Sequence, residues 1–123
     1  MPLVQATVRA DASPRLTADI TAALTDVTVE TLRKEHARTT VVVHYVPASQ
    51  WARGGKPVGG FLVEARVTAG QQSPAEKAAF VEAANTALQA LVGAPGYVAV
   101  NEIDGRAWGY AGQTLAKRYA EAS

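Results

Sequence analysis

The sequence predicts an α+β fold: duplicated β-α-β units that form a four-stranded mixed sheet with two helices on one face. Three observations predict it. The segments PLVQATV (residues 2–8) and FLVEARV (residues 61–67) are alike, and a Ser-Pro pair follows each of them. A helical apolar pattern and a second Val-rich segment come next in both halves. Because the halves repeat about 58 residues apart, we predict one domain, 1–123, with half 1 about 2–58 and half 2 about 59–123.

The first half begins with a predicted strand from Leu3 to Val8, where Val and Thr suit a pleated surface. Ser13 can cap a helix that has Pro14 at its first position. A second strand is predicted from Thr39 to Val46. The apolar residues that recur at helical spacing between the two strands are Ile20, Leu24 and Val27.

The second half repeats this order, with strands from Leu62 to Val67 and from Tyr97 to Ile103. Residues 73–76 (SPAE) form a capping-box pattern at the start of its helix. Gly93 and Pro95 are expected to end that helix. A Trp/Gly-rich turn closes each half (WARGG and WGYAG).

A strand-helix-strand unit with a long crossover implies a parallel, right-handed strand pair. Two such units related by approximate twofold symmetry would leave one sheet face without helices. The run VVV at 41–43 gives that face little polar surface, so we expect a trimer or similar ring to cover it.

The composition excludes several classes of protein. The chain has 123 residues, which suits one domain, and it has no cysteine, so disulfides and thiolate nucleophiles are excluded. Two histidines, His36 and His44, are too few for a His-rich site, and we expect no metal and no cofactor. A net charge of +1 without a basic run argues against nucleic acid and membrane partners. No signal peptide is evident, so we predict a cytoplasmic protein.

Pro2 is the first candidate for chemistry. Removal of Met1 would expose its secondary amine, and an α-amino group has an ordinary pKa near 7.7–8.0 that burial lowers. Such an amine can take a proton from a carbon next to a carbonyl. The alternative is that Pro2 is merely a tolerated proline at the start of a strand.

Taken together, these features resemble the tautomerase superfamily. Residues 2–55 are similar to 4-oxalocrotonate tautomerase, including an aromatic residue three positions before Gly-Gly in WARGG. The segment VHYVPASQWARGG resembles macrophage migration inhibitory factor, which also has two halves in one chain, as does Asn101 with Asp104. The resemblance covers essentially the whole chain.

The resemblance implies a cofactor-independent tautomerase (an isomerase) that acts on a small 2-oxo acid or enol. Pro2 would be the general base and then the acid, and Phe61 at the equivalent position implies one site per chain. A homotrimer is implied, because the pocket wall would come from the second half and from a neighbouring chain. That wall would include Trp108, Tyr110 and Asn101, although Trp108 can equally be hydrophobic packing and Asn101 a partner of nearby backbone.

The chain departs from the family in its arginines. Arg9 fits an early family position, but Thr68 and Gln71 stand where second-half arginines are expected. Thr40 replaces the arginine of the second strand, with Arg38 two residues away on the same strand face. Tyr110 falls near the acidic residue of the dehalogenases, so dehalogenase or decarboxylase activity is not expected. The candidate donors to a substrate oxyanion are Arg38 first, then Arg9, His36 and Arg106, each of which can also be surface charge.

Two other functional interpretations remain open. The same element order suits ferredoxin-like domains, which would make the chain a binding or interaction protein. The chain can also have the tautomerase fold without this activity, because the expected arginines are missing. A retained Met1 would block the amine and favour either of these alternatives.

Overall fold

The computed structural model describes residues 1–122, which form two β-α-β units joined by a short hairpin. The first unit and its hairpin are β1 (Leu3–Arg9), α1 (Pro14–Leu32), β2 (Thr40–Val46), β3 (Ala52–Arg53) and β4 (Lys56–Pro57). The second unit and its hairpin are β5 (Phe61–Thr68), α2 (Pro74–Val92), β6 (Tyr97–Ile103), β7 (Gly109–Tyr110) and β8 (Gln113–Thr114). The helix α3 (Leu115–Ala122) follows.

The sheet order β2-β1-β5-β6 confirms the predicted four-stranded mixed sheet. Strands are parallel within each unit, and β1 and β5 run antiparallel where the units meet. Leu3 pairs with Thr40 on one side and with Arg66 on the other. The start of β1 therefore lies at the same end of the sheet as the start of β2 and the last residues of β5 and β6. Phe61 lies at the opposite end, beside Val8.

One face of the sheet and the two long helices enclose the core. Alternate residues of β1 and β5 are buried, as expected for strands with one face covered. Burying a large aliphatic or aromatic side chain stabilises a fold by about 1.5–3 kcal/mol. The largest fully buried side chains come from both units: Phe61, Phe80, Ile20, Leu24, Leu32, Leu88, Val4, Val8, Val63 and Val67.

The helix ends follow the sequence signals. Ser13 Oγ accepts a hydrogen bond from the amide of Leu16 at 3.1 Å, and Ser73 and Glu76 form the predicted capping box. Gly93, with φ of 87°, ends α2 as predicted. Helix α1 ends instead at Arg33, which takes a left-handed conformation with φ of 57° although it is not glycine.

Several details differ from the sequence predictions. The Trp/Gly-rich turns are two-stranded hairpins, and α3 was not predicted. Arg38 ends a 3₁₀ turn (His36–Arg38) before β2, so it does not lie on a strand face.

The core predicts a clear contrast between two aliphatic truncations. Leu24 is fully buried between helix and sheet, so Leu24→Ala should lower the free energy of unfolding by about 2–5 kcal/mol in urea titrations. Val81 on α2 is 40% exposed, and Val81→Ala should change it by less than about 0.5 kcal/mol. Equal losses for the two variants would contradict this description of the core.

Candidate active site

Pro2 is buried at the start of β1. Its carbonyl oxygen accepts a hydrogen bond from the Thr40 amide at 3.2 Å, which extends the β1–β2 pairing by one residue. The backbone of Pro2 is therefore fixed by the sheet, and its nitrogen faces the end of the sheet where the chain begins.

A cavity of about 180 Å³ lies at this end of the sheet, where Met1 lines it and the buried Pro2 does not. The loop after α1 supplies most of its wall, and the rest comes from the N-terminus, from the segment after β5 and from α3. Its side chains include three cations and one carboxylate, so its electrostatic character is positive. The lining residues are Met1, Arg33, Lys34, Glu35, Arg38, Gln71 and Tyr119.

The left-handed turn at Arg33 brings the loop back toward β2 and so sets the position of these cations. Two of them have acidic neighbours: Arg38 Nε lies 3.3 Å from Glu35 Oε2, and Arg33 Nε lies 4.0 Å from Glu76 Oε2. All four side chains but Glu76 are more than half exposed, so these pairs contribute little to stability and leave the arginines free to move.

Lys34 is the most enclosed of the cations. Its Nζ donates a hydrogen bond to Gln71 Oε1 at 3.1 Å, and the orientation that satisfies the Gln72 amide puts that oxygen 2.5 Å from Nζ. Burial lowers the pKa of Lys34, and the nearby Glu76 carboxylate opposes that shift. Two neutral amides therefore hold this ammonium group, and no carboxylate of residues 1–122 forms an ion pair with it.

The N-terminal amine shares this environment. In the full chain the Met1 amine donates a hydrogen bond to the Tyr119 hydroxyl at 3.3 Å. Burial lowers the pKa of this amine most, Lys34 and Arg38 lower it further, and Glu35 opposes them. A lowered pKa increases the neutral fraction near pH 7, which is the form that can accept a proton.

Arg38 is the predicted substrate-binding residue that lines this cavity. His36 belongs to the same 3₁₀ turn but is exposed and does not line it. Arg9 is the last residue of β1, roughly 23 Å along the strand from Pro2, so one chain does not bring the two together.

Trp108 and Tyr110 follow β6 and lie at the Pro2 end of the sheet. Trp108 is half-buried, and its Nε1 donates a hydrogen bond to Thr68 Oγ1 at 3.2 Å. Tyr110 is 58% exposed, and the guanidinium of Arg118 lies 5.5 Å from its ring centroid. Neither lines the cavity within one chain.

The other two predicted residues already have partners. Asn101 Nδ2 donates a hydrogen bond to Glu64 Oε2 at 3.1 Å on the helix-free face. Arg106 Nη2 donates a hydrogen bond to Asp104 Oδ2 at 2.7 Å, and hydrogen bonds from Arg106 lower the pKa of Asp104 to about 2. The Arg106 guanidinium thus holds Asp104, and it does not line the cavity.

Six lining residues were not among the predicted ligands: Met1, Arg33, Lys34, Glu35, Gln71 and Tyr119. The cluster RKEHAR between helix and strand was a usable signal, because a loop that precedes β2 must lie near the start of β1. Gln71 stands where the family resemblance implies an arginine, and its sequence position does not indicate a contact with Lys34. Tyr119 had no local signal, since it reaches the cavity from α3 at the far end of the chain.

Across residues 1–122, no three His, Asp or Glu side chains lie close enough together to hold a metal ion. Over the same residues, no helix combines the length and apolar character needed to cross a membrane.

Comparisons with known proteins agree with this architecture. The family model described as "Tautomerase enzyme" matches residues 2–60. Among solved structures, a fused 4-OT described as an asymmetric trimer is 20% identical with a TM-score of 0.85, covering 94% of this chain and 98% of its own. Pt0534, described as inactivated by 2-oxo-3-pentynoate, is 17% identical with a TM-score of 0.86, covering 95% and 98%.

A macrophage migration inhibitory factor-like protein from Entamoeba histolytica is 19% identical with a TM-score of 0.80, covering 92% of this chain and 97% of its own. A sequence comparison with curated proteins finds no match.

The fold and the site define the class of protein: a duplicated β-α-β protein with a buried proline at position 2 and a cationic cavity at the same end of the sheet. The family-model match assigns residues 2–60 to the tautomerase family, and the whole chain shares its fold with fused 4-OT and with the migration inhibitory factor-like protein. The ferredoxin-like alternative is therefore set aside.

The charges around the amine predict pKa changes of opposite sign. Lys34→Met and Arg38→Gln each remove a cation and should raise the pKa of the N-terminal amine, whereas Glu35→Gln should lower it. NMR titration of protein labelled with ¹⁵N at Met and Pro would measure this pKa at whichever residue is N-terminal. The control Lys56→Met removes an exposed cation on β4 at the other end of the sheet and should have no effect. Shifts of the same sign in all three test variants would contradict the electrostatic account.

Proposed function

We propose that this chain is a cofactor-independent tautomerase in which Pro2, exposed by removal of Met1, is the general acid and base. The observation that carries the proposal is the position of Pro2, buried at the start of β1 at the same end of the sheet as a cavity lined by Arg33, Lys34 and Arg38. The match of residues 2–60 to the tautomerase family supports an isomerase of this type.

The proposed reaction moves one proton. The neutral Pro2 amine accepts a proton from the enol hydroxyl or from the carbon next to the carbonyl, and it then returns a proton at the other position. A dienolate or enolate carries negative charge in between, and preorganised cations stabilise such charge. Lys34 is the best fixed of these cations, because Gln71 and Gln72 hold it. Arg38 is a second cation that lines the cavity.

The proposed substrate is a small 2-oxo acid or its enol. A cavity of about 180 Å³ is smaller than the 300–1,000 Å³ typical of sites for drug-sized ligands, and its cations favour a carboxylate. Pt0534, which shares this fold, is described as inactivated by 2-oxo-3-pentynoate. A 2-oxo acid therefore reacts with a protein of this fold.

One observation favours a tautomerase-fold protein without this activity. The Met1 amine donates a hydrogen bond to Tyr119, and Met1 itself lines the cavity. If Met1 is retained, the Pro2 nitrogen is an amide and cannot accept a proton. The mass of the intact purified protein distinguishes the two states directly.

We also propose a cytoplasmic homotrimer. The helix-free face of the sheet carries Val42, which is 38% exposed, next to polar residues such as Gln5. Burying Val42 against a second copy would remove apolar surface from water. A neighbouring chain would also complete a cavity that one chain leaves small and open. The fused 4-OT relative is described as a trimer.

The proline hypothesis predicts a large loss of activity for one substitution. After Met1 removal is confirmed by mass, wild type should convert phenylenolpyruvate, 2-hydroxymuconate or 2-hydroxypenta-2,4-dienoate faster than buffer does. Pro2→Ala should lower kcat/KM by roughly 10²–10⁴-fold, the range for loss of a general acid-base group. Pro57→Ala, which changes an exposed proline on β4, is the matched control and should retain full activity. Equal rates for wild type and Pro2→Ala would refute the proposed role of Pro2.

The proposed trimer predicts a particle mass and a way to change it. Sedimentation equilibrium should give three times the chain mass of 12.9 kDa. Val42→Glu puts a charge on the helix-free face and should shift the population toward smaller species. Val81→Glu, a change of similar exposure on α2, should leave the mass unchanged. A wild-type monomer at all concentrations would overturn the trimer.

A further inference from the structure

A second and larger cavity lies at the Phe61 end of the sheet, far from Pro2. Its volume is about 630 Å³, within the range of small-molecule sites. The hairpin β3–β4, the start of β5 and the segment between α2 and β6 form its walls. The residues that line it are Trp51, Ala52, Arg53, Val58, Gly59, Gly60, Phe61, Ala94, Pro95, Gly96 and Tyr97.

This cavity is the counterpart of the Pro2 cavity under the internal twofold symmetry. Leu62 pairs with Tyr97 in the second unit as Leu3 pairs with Thr40 in the first. Phe61 therefore stands where Pro2 stands, with an amide in place of a terminal amine. Ala94 follows the end of α2 as Lys34 follows the end of α1, so the helix-to-strand loop supplies no cation here. This cavity therefore lacks both the terminal amine and the lysine found at the Pro2 end.

The aromatic walls of the cavity pack closely against glycines. A Cβ on Gly96 would lie 2.3 Å from the Phe61 carbonyl oxygen, and one on Gly60 would lie 3.0 Å from Trp51 Nε1. Only glycine fits at Gly96, whereas a Cβ at Gly60 would require the Trp51 indole to shift by a few tenths of an ångström. The Phe61 ring is fully buried, whereas Trp51 is half-buried and Tyr97 is 72% exposed. Trp51 and Tyr97 thus present aromatic surface that a ligand can contact.

The charge of the lining is also unbalanced. It contains one cation, Arg53, and no acidic residue. Among residues 1–122, no ion pair involves Arg53, whereas Arg38 and Arg106 each have an acidic partner. An unpaired guanidinium beside aromatic walls can bind a carboxylate whose apolar part lies on those walls.

We propose that the Phe61-end cavity binds an aromatic monocarboxylate without converting it. Its ring contacts Trp51 and Tyr97, and its carboxylate pairs with Arg53. This site is separate from the Pro2 site and does not depend on the proposed reaction.

The two tryptophans allow the test, because Trp51 lines this cavity and Trp108 lies at the Pro2 end. The probe is 3-phenylpropionate, which has no 2-oxo group and cannot be tautomerised. Its titration should change the fluorescence of Trp108→Phe, in which Trp51 is the remaining tryptophan, with saturation. Trp51→Phe should show no saturable change. A response that comes from Trp108 alone would overturn the proposal.

Charge variants test the carboxylate contact. Arg53→Gln should weaken binding of 3-phenylpropionate by about tenfold or more, the loss expected for a charge-assisted hydrogen bond. Lys56→Gln is the matched control, because Lys56 pairs with Arg53 across the β3–β4 hairpin but does not line the cavity. The neutral 3-phenylpropanamide should bind wild type as weakly as the acid binds Arg53→Gln. Equal losses for the two hairpin variants, or equal binding of acid and amide, would overturn the proposal.

Pro2→Ala separates this site from the proposed active site. The variant should bind 3-phenylpropionate as wild type does, whether or not it retains tautomerase activity. Loss of the Trp51 response in Pro2→Ala would show that the probe depends on the Pro2 end, and the proposal would then be wrong. An inactive wild type that still binds the probe would leave this inference intact while refuting the proposed function.

Discussion

The antiparallel pairing of β1 with β5 is the contact on which both ends of the molecule depend. It joins two units whose own strands are parallel, and it pairs Leu3 with Arg66. The start of the first unit therefore meets the end of the second. Gln71 and Tyr119 reach the Pro2 cavity only through this arrangement, because both follow the last residues of second-unit strands. A single β-α-β unit would leave the Pro2-end cavity without these two lining residues.

The same pairing creates two equivalent ends, and a few residues make them chemically different. At one end, Pro2 and the loop containing Lys34 give a small cationic cavity. At the other, Phe61 and Ala94 remove the amine and the lysine, and the hairpin with Trp51 gives a larger aromatic cavity. The two ends of the sheet therefore have equivalent backbone positions but different side-chain chemistry.

The sequence predicted those features that depend on neighbouring residues. Strand alternation, helical spacing and the Ser73 capping box are local, and the order of elements followed from them. The site depends on distant contacts: Lys34 meets Gln71, and Met1 meets Tyr119 across almost the whole chain. Arg9 is a candidate substrate-binding residue from its position within the first half alone. The antiparallel pairing of β1 with β5 instead puts the end of β1 at the Phe61 end of the sheet.

The cations at the Pro2 end have two effects that act at different stages of the proposed reaction. In the full chain, burial lowers the pKa of the Met1 amine most, and Lys34 and Arg38 lower it further, which increases its neutral fraction. A bound carboxylate would offset these charges and raise the pKa of an amine at this position, because opposite charge stabilises its protonated form. An amine exposed there by removal of Met1 would therefore become more basic once substrate is present. Glu35 raises the pKa of the Met1 amine, and so it limits how far Lys34 and Arg38 can lower that pKa.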